Sequence, residues 1–266
     1  MKQIEPLRHV ALTRYIEPLR EGGSLPALAE ADDGFKYAVK FRGAGHGPKM
    51  LVAELIGSEL ARAAGLNVPE LVFVDVDEDF GRTEGDEEIQ DLLRASRGLN
   101  LGLHYLAGTF TWDTLVNDID ALTASKVMWL DAFLTNIDRT VRNTNMLSWR
   151  RELWLIDHGA SLYFHHSWSD WHKAALSPFP YVKDHAFIKI ASELDAADSF
   201  MHAVITPEVI DAVVDLVPDE WLTGEAGDGS PTPEARRDVY KQFLKTRLSN
   251  SKIFVDHAKQ VRAASV

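Results

Sequence analysis

The order in which strand-like and helix-like segments follow one another is the strongest constraint on the fold. Strand signals are concentrated in the first 105 residues, at 35–41, 71–76 and 99–106, as short apolar segments. The remainder of the chain is mostly helical in pattern. Strands followed by helices favour the α+β class over a doubly wound sheet, in which the two would alternate. We predict a strand-rich lobe over residues 1–107 and a helical lobe over residues 108–266.

The predicted helices have recognisable ends. The first, over residues 51–64, carries an apolar face with a period of about 3.6 residues, and Gly65 and Pro69 mark its end. Thr206 is a suitable N-cap for a helix over residues 207–217, which begins with proline. Further helices are predicted over residues 115–133 and 234–264, and a strand pair over residues 147–156.

Composition excludes several classes of function. The 266 residues include 28 Lys and Arg against 40 Asp and Glu, a formal net charge of −12, so we expect no direct binding to nucleic acid or to an anionic membrane. The absence of cysteine excludes disulfides, thiolate metal sites and a cysteine nucleophile. The chain contains no run of about 18 apolar residues, as a transmembrane helix would need, and its charged N-terminal segment is unlike a signal peptide. We expect a cytoplasmic protein.

Polar side chains are crowded into residues 135–145, directly after an apolar helical segment. Their density exceeds what a solvated loop needs. A second signal follows where an apolar strand ends at Asp157 and a turn begins at Gly159. A carboxylate in that position would be presented at the mouth of a cleft. These two segments are the strongest candidates for a functional site.

Phosphoryl transfer is the chemistry that fits these residues. It needs a cation on the phosphates of ATP, oxygen ligands for Mg²⁺ and a carboxylate that orients the attacking hydroxyl. The sequence supplies Lys40 on a predicted strand, Asp138 with Asn143 five residues later, and Asp157 fourteen residues beyond Asn143. Each residue alone has an ordinary structural explanation, but the four follow the order of the protein kinases.

Four segments together resemble the HipA-like kinases, an atypical branch of the protein-kinase-like fold. They are YAVKF (37–41), VAELIGSELARAAGLNVPE (52–70), NIDRTVRN (136–143) and LIDHGASLYF (155–164). The last is also similar to the metal-aspartate strand of phosphatidylinositol kinases. The resemblance covers about residues 20–225. It implies a bilobal protein-kinase-like fold that uses ATP and Mg²⁺.

The resemblance also implies a role for each motif residue. Asp138 would be the catalytic base, Lys40 would contact the α- and β-phosphates, and Glu54 would hold Lys40. Asn143 and Asp157 would ligate Mg²⁺. The remaining residues would contact the nucleotide: Gly22, Gly23 and Ser24 would cover the phosphates, Ala38 would lie near the adenine, and Tyr105 and Leu106 would belong to the hinge that binds it.

Some assignments have alternatives. Glu59 lies within the apolar stripe of the first helix and Glu54 lies about 140° away from it, but the spacing to the following GLNVP segment selects Glu54. Asn145 is an alternative to Asn143 as a metal ligand. Thr140 departs from the family pattern, which usually has histidine there. The loop packing around Thr140 is therefore not implied by the resemblance.

Three histidines, His165, His166 and His172, follow the Asp157 strand closely enough to suggest a zinc or copper site. They fall where a kinase has its activation or substrate segment. Trp168 and Trp171 lie between them and indicate a packed or recognition loop, which is the interpretation we favour over a metal site.

We therefore predict an ATP- and Mg²⁺-dependent kinase that transfers the γ-phosphoryl group to a hydroxyl, with protein Ser or Thr as the favoured acceptor. A small-molecule or lipid-head-group kinase would use the same machinery, and an adenylyltransferase is a lesser alternative. A nucleotide-binding pseudokinase or interaction module is the alternative from another class. The intact set of Lys40, Asp138, Asn143 and Asp157 argues against it.

The sequence says less about how the protein is regulated than about the reaction it catalyses. The resemblance admits a small regulatory protein as a partner and phosphorylation of Ser24 as a control. The chain is shorter than the full-length HipA toxins and would be a minimal kinase core. The toxin role is therefore not implied.

Overall fold

The computed structural model describes residues 4–19, 26–45, 47–77, 80, 85–223 and 231–265. The strands are β1 Arg8–Pro18, β2 Ala27–Ala31, β3 Lys36–Lys40, β4 Leu71–Val76, β5 Gly98–His104, β6 Phe110–Thr111, β7 Met146–Trp149 and β8 Glu152–Leu155. The helices are α1 Pro48–Ala63, α2 Glu87–Ala95, α3 Ala121–Leu134, α4 Trp171–Ala175, α5 Leu194–Val204, α6 Pro207–Asp215, α7 Asp219–Leu222, α8 Pro233–Ser249 and α9 Lys252–Ser265. Two short 3₁₀ helices lie at Tyr163–His166 and Pro180–Asp184. Strands thus dominate the first part and helices the second, which confirms the mixed α+β class.

Five strands close into a barrel in the order β1-β2-β3-β5-β4. The first part of β1 pairs in parallel with β4 and its second part pairs antiparallel with β2, so the barrel has no open edge. Tyr37 and Val39 of β3 are fully buried in the barrel core, as their alternation predicts. Ala38 and Lys40 consequently lie on the other face of β3, and Lys40 meets α1 there.

Helix α1 is buried on all sides along most of its length, whereas its periodicity predicts a single apolar face. Every residue from Met50 to Ala61 is buried. The reason is that α1 lies between β5 on one side and α6 and α7 on the other. Its side chains join one apolar cluster with those of β4, β5 and the later helices. The strand-rich and helical parts therefore share a core through α1, and the division at residues 107 and 108 stays a prediction.

Helix α3 begins later than the sequence predicts. Asp120 caps it by accepting a hydrogen bond from the amide of Thr123 at 2.8 Å, and residues 113–117 ahead of it form a separate turn. Short polar side chains compete for backbone amides in this way and end or delay a helix. The helix predicted over residues 234–264 is likewise divided at Asn250 into α8 and α9.

Other predicted elements agree with the structure. Thr206 caps α6 by accepting from the amide of Val209 at 3.4 Å, and β7 and β8 form the predicted strand pair. Within the described ranges, no helix combines the length and the apolar character that crossing a lipid bilayer requires.

Candidate active site

Lys40 lies at the centre of a buried ionic cluster. Its ammonium group donates to Oε2 of Glu54 at 2.7 Å and to Oδ1 of Asp157 at 2.6 Å. Lys40 and Glu54 are buried, whereas the side chain of Asp157 is 34% exposed. The ion pair with Lys40 is thus made by Glu54. Glu59, the alternative, pairs with Arg62 instead.

The cluster fixes the protonation states of its members. Burial alone would lower the pKa of Lys40, but the carboxylates of Asp157 and Glu54 outweigh burial and raise it above its ordinary value. Burial alone would raise the pKa of Glu54, but Lys40 and the hydrogen bond from His158 bring it well below its ordinary value. At neutral pH Lys40 is therefore an ammonium ion and Glu54 a carboxylate.

Glu54 also holds the backbone that follows Asp157. The amide of His158 donates to Oε2 of Glu54 at 2.7 Å, and the hydroxyl of Ser58 donates to Oε1 at 3.3 Å. Asp157 itself has a φ of 55°, a left-handed conformation that short polar residues tolerate better than most. Gly57 permits the close approach of α1, since a Cβ there would lie 2.5 Å from the Cβ of His158. Helix α1 and the turn at Asp157 are thereby locked together.

Asp138 lies in a loop that two asparagines hold in place. The side-chain amides of Asn143 and Asn145 both donate to Oδ2 of Asp138, at 2.8 and 3.1 Å. Within the described part of the chain no hydrogen bond reaches Oδ1, which leaves that oxygen for a hydroxyl group. The hydroxyl of Thr140, at the position where histidine is usual, accepts from the amide of Asn143 at 3.2 Å and closes the loop.

A second ionic cluster, fully buried, supports this loop. Oδ2 of Asp131, on α3, accepts from Nε of Arg139 at 2.6 Å and lies 3.0 Å from Nε2 of His185. Oδ1 of Asp131 accepts from the side-chain amide of Asn136 at 2.8 Å. Burial alone would raise the pKa of Asp131, but Arg139 and His185 bring it well below its ordinary value. Asp131 is therefore a buried carboxylate that anchors the loop.

Arg139 connects the loop to the strand that ends at Asp157. Its Nη1 donates to the backbone carbonyl of Asn145 and, at 3.3 Å, to that of Ile156. Because one guanidinium group binds both segments, the positions of Asp138 and Asp157 are fixed relative to each other.

Asp131, Arg139 and His185 were not among the residues predicted from the sequence to form the site. A signal for Asp131 was present, because a carboxylate inside the apolar segment ALTASKVMWLDAFL requires a buried partner. Nothing in the sequence pointed to His185, which lies 54 residues from Asp131.

Asp157 and the asparagines of the loop have side-chain oxygen atoms that could bind a metal ion. Lys40 occupies Oδ1 of Asp157 and leaves Oδ2, and Asp138 occupies the amide nitrogen of Asn143 and leaves its oxygen. Carboxylate and amide oxygens are ligands that Mg²⁺ prefers, so these residues fit that ion. Asn145 offers the same kind of amide oxygen, so the choice between the two asparagines stays open.

The histidines after Asp157 do not assemble into a metal site. Among the residues the structure describes, no group of three or more His, Asp or Glu side chains could hold a metal ion. Nδ1 of His165 lies 2.9 Å from the hydroxyl of Tyr240, and His172 stacks on Trp171. Trp168 and Trp171 are half-buried against the main apolar cluster, whereas His166 and His172 are exposed.

The structure describes some, but not all, of the residues predicted to contact the nucleotide. Ala38 is half-buried and pairs in register with Leu103. Leu106 is buried and Tyr105 is 38% exposed. The amide of Tyr105 donates to the carbonyl of Lys36 at 2.9 Å, so this amide is already engaged within the barrel. Gly22, Gly23 and Ser24 lie outside the described residues.

A cleft of about 570 Å³ opens beside the loop. Asn143 and Asn145 line it, together with Trp112, Met146 and Ile156. The amide of Trp112 donates to the carbonyl of Met146 at 2.9 Å, which joins the chain after the barrel to β7. The cleft therefore connects two of the candidate metal ligands, Asn143 and Asn145, to open solvent.

Comparisons with known proteins identify a family and a similar fold. A family model described as HipA-like kinase matches residues 12–252. Among solved structures, the proinflammatory kinase CtkA of Helicobacter pylori is similar, with a TM-score of 0.58 and 14% sequence identity over 98% of this chain and 100% of that chain. At this identity the likeness shows a shared fold. No curated protein sequence gives a significant match to the chain.

Proposed function

The chain belongs to the HipA-like kinase family, and on that premise we propose that it is an ATP- and Mg²⁺-dependent kinase acting on protein Ser or Thr. Family membership confirms the resemblance carried by the four sequence motifs and supports phosphotransferase activity. The observation that carries the proposal is the double contact of Lys40 with Glu54 and Asp157. It keeps a protonated lysine beside a partly exposed carboxylate.

The proposed reaction assigns a task to each group. The ammonium of Lys40 binds phosphate oxygens of ATP while Glu54 holds its position. Asp157 and Asn143 would bind Mg²⁺, which neutralises charge on the phosphates. Oδ1 of Asp138 accepts a hydrogen bond from the acceptor hydroxyl and orients its oxygen toward the γ-phosphorus. As that oxygen–phosphorus bond forms and the bond to ADP breaks, Asp138 takes the hydroxyl proton.

A protein acceptor is favoured over a small molecule by the openness of the cleft. Leu115 and Val141, at its mouth, are 92% and 61% exposed. A site for a small acceptor usually encloses most of its ligand, whereas exposed apolar side chains suit an extended chain lying across them. The small-molecule alternative would require a different surface around Asp138.

The test is transfer from γ-labelled ATP by the purified wild-type protein, with and without cell lysate. We expect label on a protein. Asp138→Asn should reduce transfer at least about a hundredfold, because losing a positioned base costs about 10²–10⁴ in rate. Its ATP affinity, measured by titration calorimetry, should stay near that of the wild type.

Asp91→Asn is the matched control, since Asp91 is an exposed carboxylate on α2 that pairs with Arg94. It should leave transfer unchanged. Label found only in a small-molecule fraction would show that the acceptor is a small molecule and not a protein. A wild type that binds ATP but transfers to no acceptor would show a nucleotide-binding module.

A further inference from the structure

The mouth of the cleft beside Asp138 carries apolar side chains that are strongly exposed. Leu115 and Val141 both line the cleft that Asn143 lines. Val116, next to Leu115, is 77% exposed. Apolar side chains left in water around a functional cleft indicate a surface that a partner covers.

The first part of this surface is the turn at residues 140–143. The amide of Thr140 donates to the carbonyl of Asn143 at 2.9 Å, and the amide of Asn143 donates back to the hydroxyl of Thr140 at 3.2 Å. The turn thereby brings the side chain of Asn143 into contact with Asp138. Its two middle residues, Val141 and Arg142, are left exposed at the tip.

The second part is the turn at residues 113–117. The amide of Leu115 donates to the Asp113 carboxylate at 2.8 Å, and the amide of Asp113 donates to the side-chain oxygen of Asn117 at 3.0 Å. These bonds fix the turn, so Leu115 and Val116 are held in their exposed positions by the structure around them.

Charge distinguishes the two turns. No carboxylate of the described residues lies within ion-pair distance of Arg142, although it lies four residues from Asp138. Asp113, which also lines the cleft, is acidic and is bonded within its own turn. Arg142 is thus a cation at the cleft with no ion-pair partner among the described residues.

We propose that the turns at residues 113–117 and 140–143 form the acceptor site. The site takes a protein segment in which an apolar side chain and a carboxylate flank the phosphorylated Ser or Thr. Leu115, Val116 and Val141 cover the apolar side chain, and Arg142 pairs with the carboxylate. This inference rests on the kinase function proposed above and names the class of acceptor for it.

The test compares synthetic peptides that differ only in having Glu or Lys at each position near a single Ser. The wild type should prefer the best Glu peptide over its Lys counterpart by about tenfold in kcat/KM. The exposed ion pair between Arg142 and Glu is weak by itself, but the Lys peptide replaces this attraction with a repulsion of similar size, which doubles the difference in binding free energy. The preference should shrink at ~0.5 M salt, where exposed charges are screened.

Arg142→Glu should reverse the preference in favour of Lys. Because the preference is a ratio, a general loss of activity in the variant cancels. Arg97→Glu is the matched control: Arg97 is also exposed and has no carboxylate within ion-pair distance in the described structure, but it does not line the cleft. That variant should keep the wild-type preference. Leu115→Asp should lower kcat/KM for peptides with an apolar flanking residue more than for peptides without one.

Hydrolysis of ATP by water, measured on the same preparations, separates the two proposals. A wild type that turns over ATP but shows no Glu preference, or phosphorylates no peptide, overturns the acceptor site and leaves the kinase function standing. An Arg142→Glu variant with the wild-type preference does the same. A wild type with no ATP turnover overturns the kinase function and the acceptor site with it.

Discussion

The ionic clusters around Lys40 and around Asp131 are both compact sets of buried charges, yet only the first has a member that reaches solvent. In the Lys40 cluster, the side chain of Asp157 is 34% exposed. In the Asp131 cluster, the side chains of Asp131, Arg139 and His185 are all at most 2% exposed. A charge in contact with solvent can exchange one partner for a ligand, whereas a fully enclosed charge cannot leave its partner without a large penalty.

This difference separates two kinds of work at one site. In the Lys40 cluster, Asp157 is the member that reaches solvent, and under the proposed function a phosphate or a metal ion would bind beside it. The Asp131 cluster holds backbone segments, because Arg139 binds the carbonyl of Asn145 in the loop and the carbonyl of Ile156 beside Asp157. Substitutions in the two clusters should therefore have different consequences.

The largest effect should come from Asp131→Ala. It leaves the guanidinium of Arg139 buried without a counterion, which typically costs about 3–5 kcal/mol in the free energy of unfolding. Urea denaturation measures this loss. Asp195→Ala is the control, because Asp195 pairs with Lys259 at the surface and its loss should cost no more than about 1 kcal/mol. Equal losses in the two variants would contradict the anchoring role of Asp131.

The next effect is on catalysis. Glu54→Gln should lower phosphoryl transfer about as much as Lys40→Met, by about 10²-fold, because Lys40→Met removes the cation at the phosphates and Glu54→Gln removes the carboxylate that holds this cation in place. Glu59→Gln should alter stability slightly and transfer hardly at all, because Glu59 contacts Arg62 rather than Lys40. Steady-state kinetics of the three variants decide between the glutamates. The opposite ranking would assign the Lys40 partnership in the working enzyme to Glu59.

The third prediction concerns Asp157, the exposed member of the Lys40 cluster, and its effect on the stabilisation of the protein by nucleotide. ATP with Mg²⁺ at 100-fold its Kd should stabilise the wild type by about 2.7 kcal/mol. Asp157→Asn should abolish most of the part of this stabilisation that depends on Mg²⁺, because it removes a carboxylate ligand. Thermal unfolding with and without Mg²⁺ measures the effect. An unchanged metal-dependent shift in the variant would remove Asp157 from the metal site.

The smallest effect should be on acid stability. The pKa values of Glu54 and Asp131 lie below their ordinary values of 4.5 and 3.8 in the folded protein. Their stabilisation is therefore complete above these ordinary values and is lost as pH falls below them, by about 1.4 kcal/mol per pH unit for each group. Denaturation at pH 5 and at pH 3.5 should show a smaller difference for Glu54→Gln than for Glu59→Gln. Identical differences would contradict the lowered pKa of Glu54.

Much of the Lys40 cluster was predictable from sequence, because its members lie in short motifs with a recognisable order. The alternation around β3 predicted the strand that carries Lys40. Periodicity alone pointed to Glu59, and it failed because α1 has no exposed face against which a stripe could be defined. Motif spacing selected Glu54, which makes the ion pair with Lys40 in the structure.

The Asp131 cluster and the closure of the barrel were not predictable in the same way. They depend on contacts between residues far apart in sequence, such as Asp131 with His185, and no local pattern encodes such a partner. The start of α3 was misplaced because apolar residues 115 and 116 looked like the first turn of a helix. In the structure the neighbouring Asp and Asn side chains bind the backbone amides there.

During synthesis of the chain, the barrel cannot close until β4 has been made and can pair with β1. Strand β2 pairs with β1 and with β3, which are near it in sequence, but residues 8–11 of β1 pair with residues 72–75 of β4. Pairings between such distant residues form slowly, because the entropy of a long loop is lost before any contact offsets it. Until β4 arrives, β1 is an open strand edge to which a second nascent chain could pair. The β1–β4 pairing, which leaves the finished barrel without an edge, therefore leaves β1 open to pairing with another chain while the protein is being made.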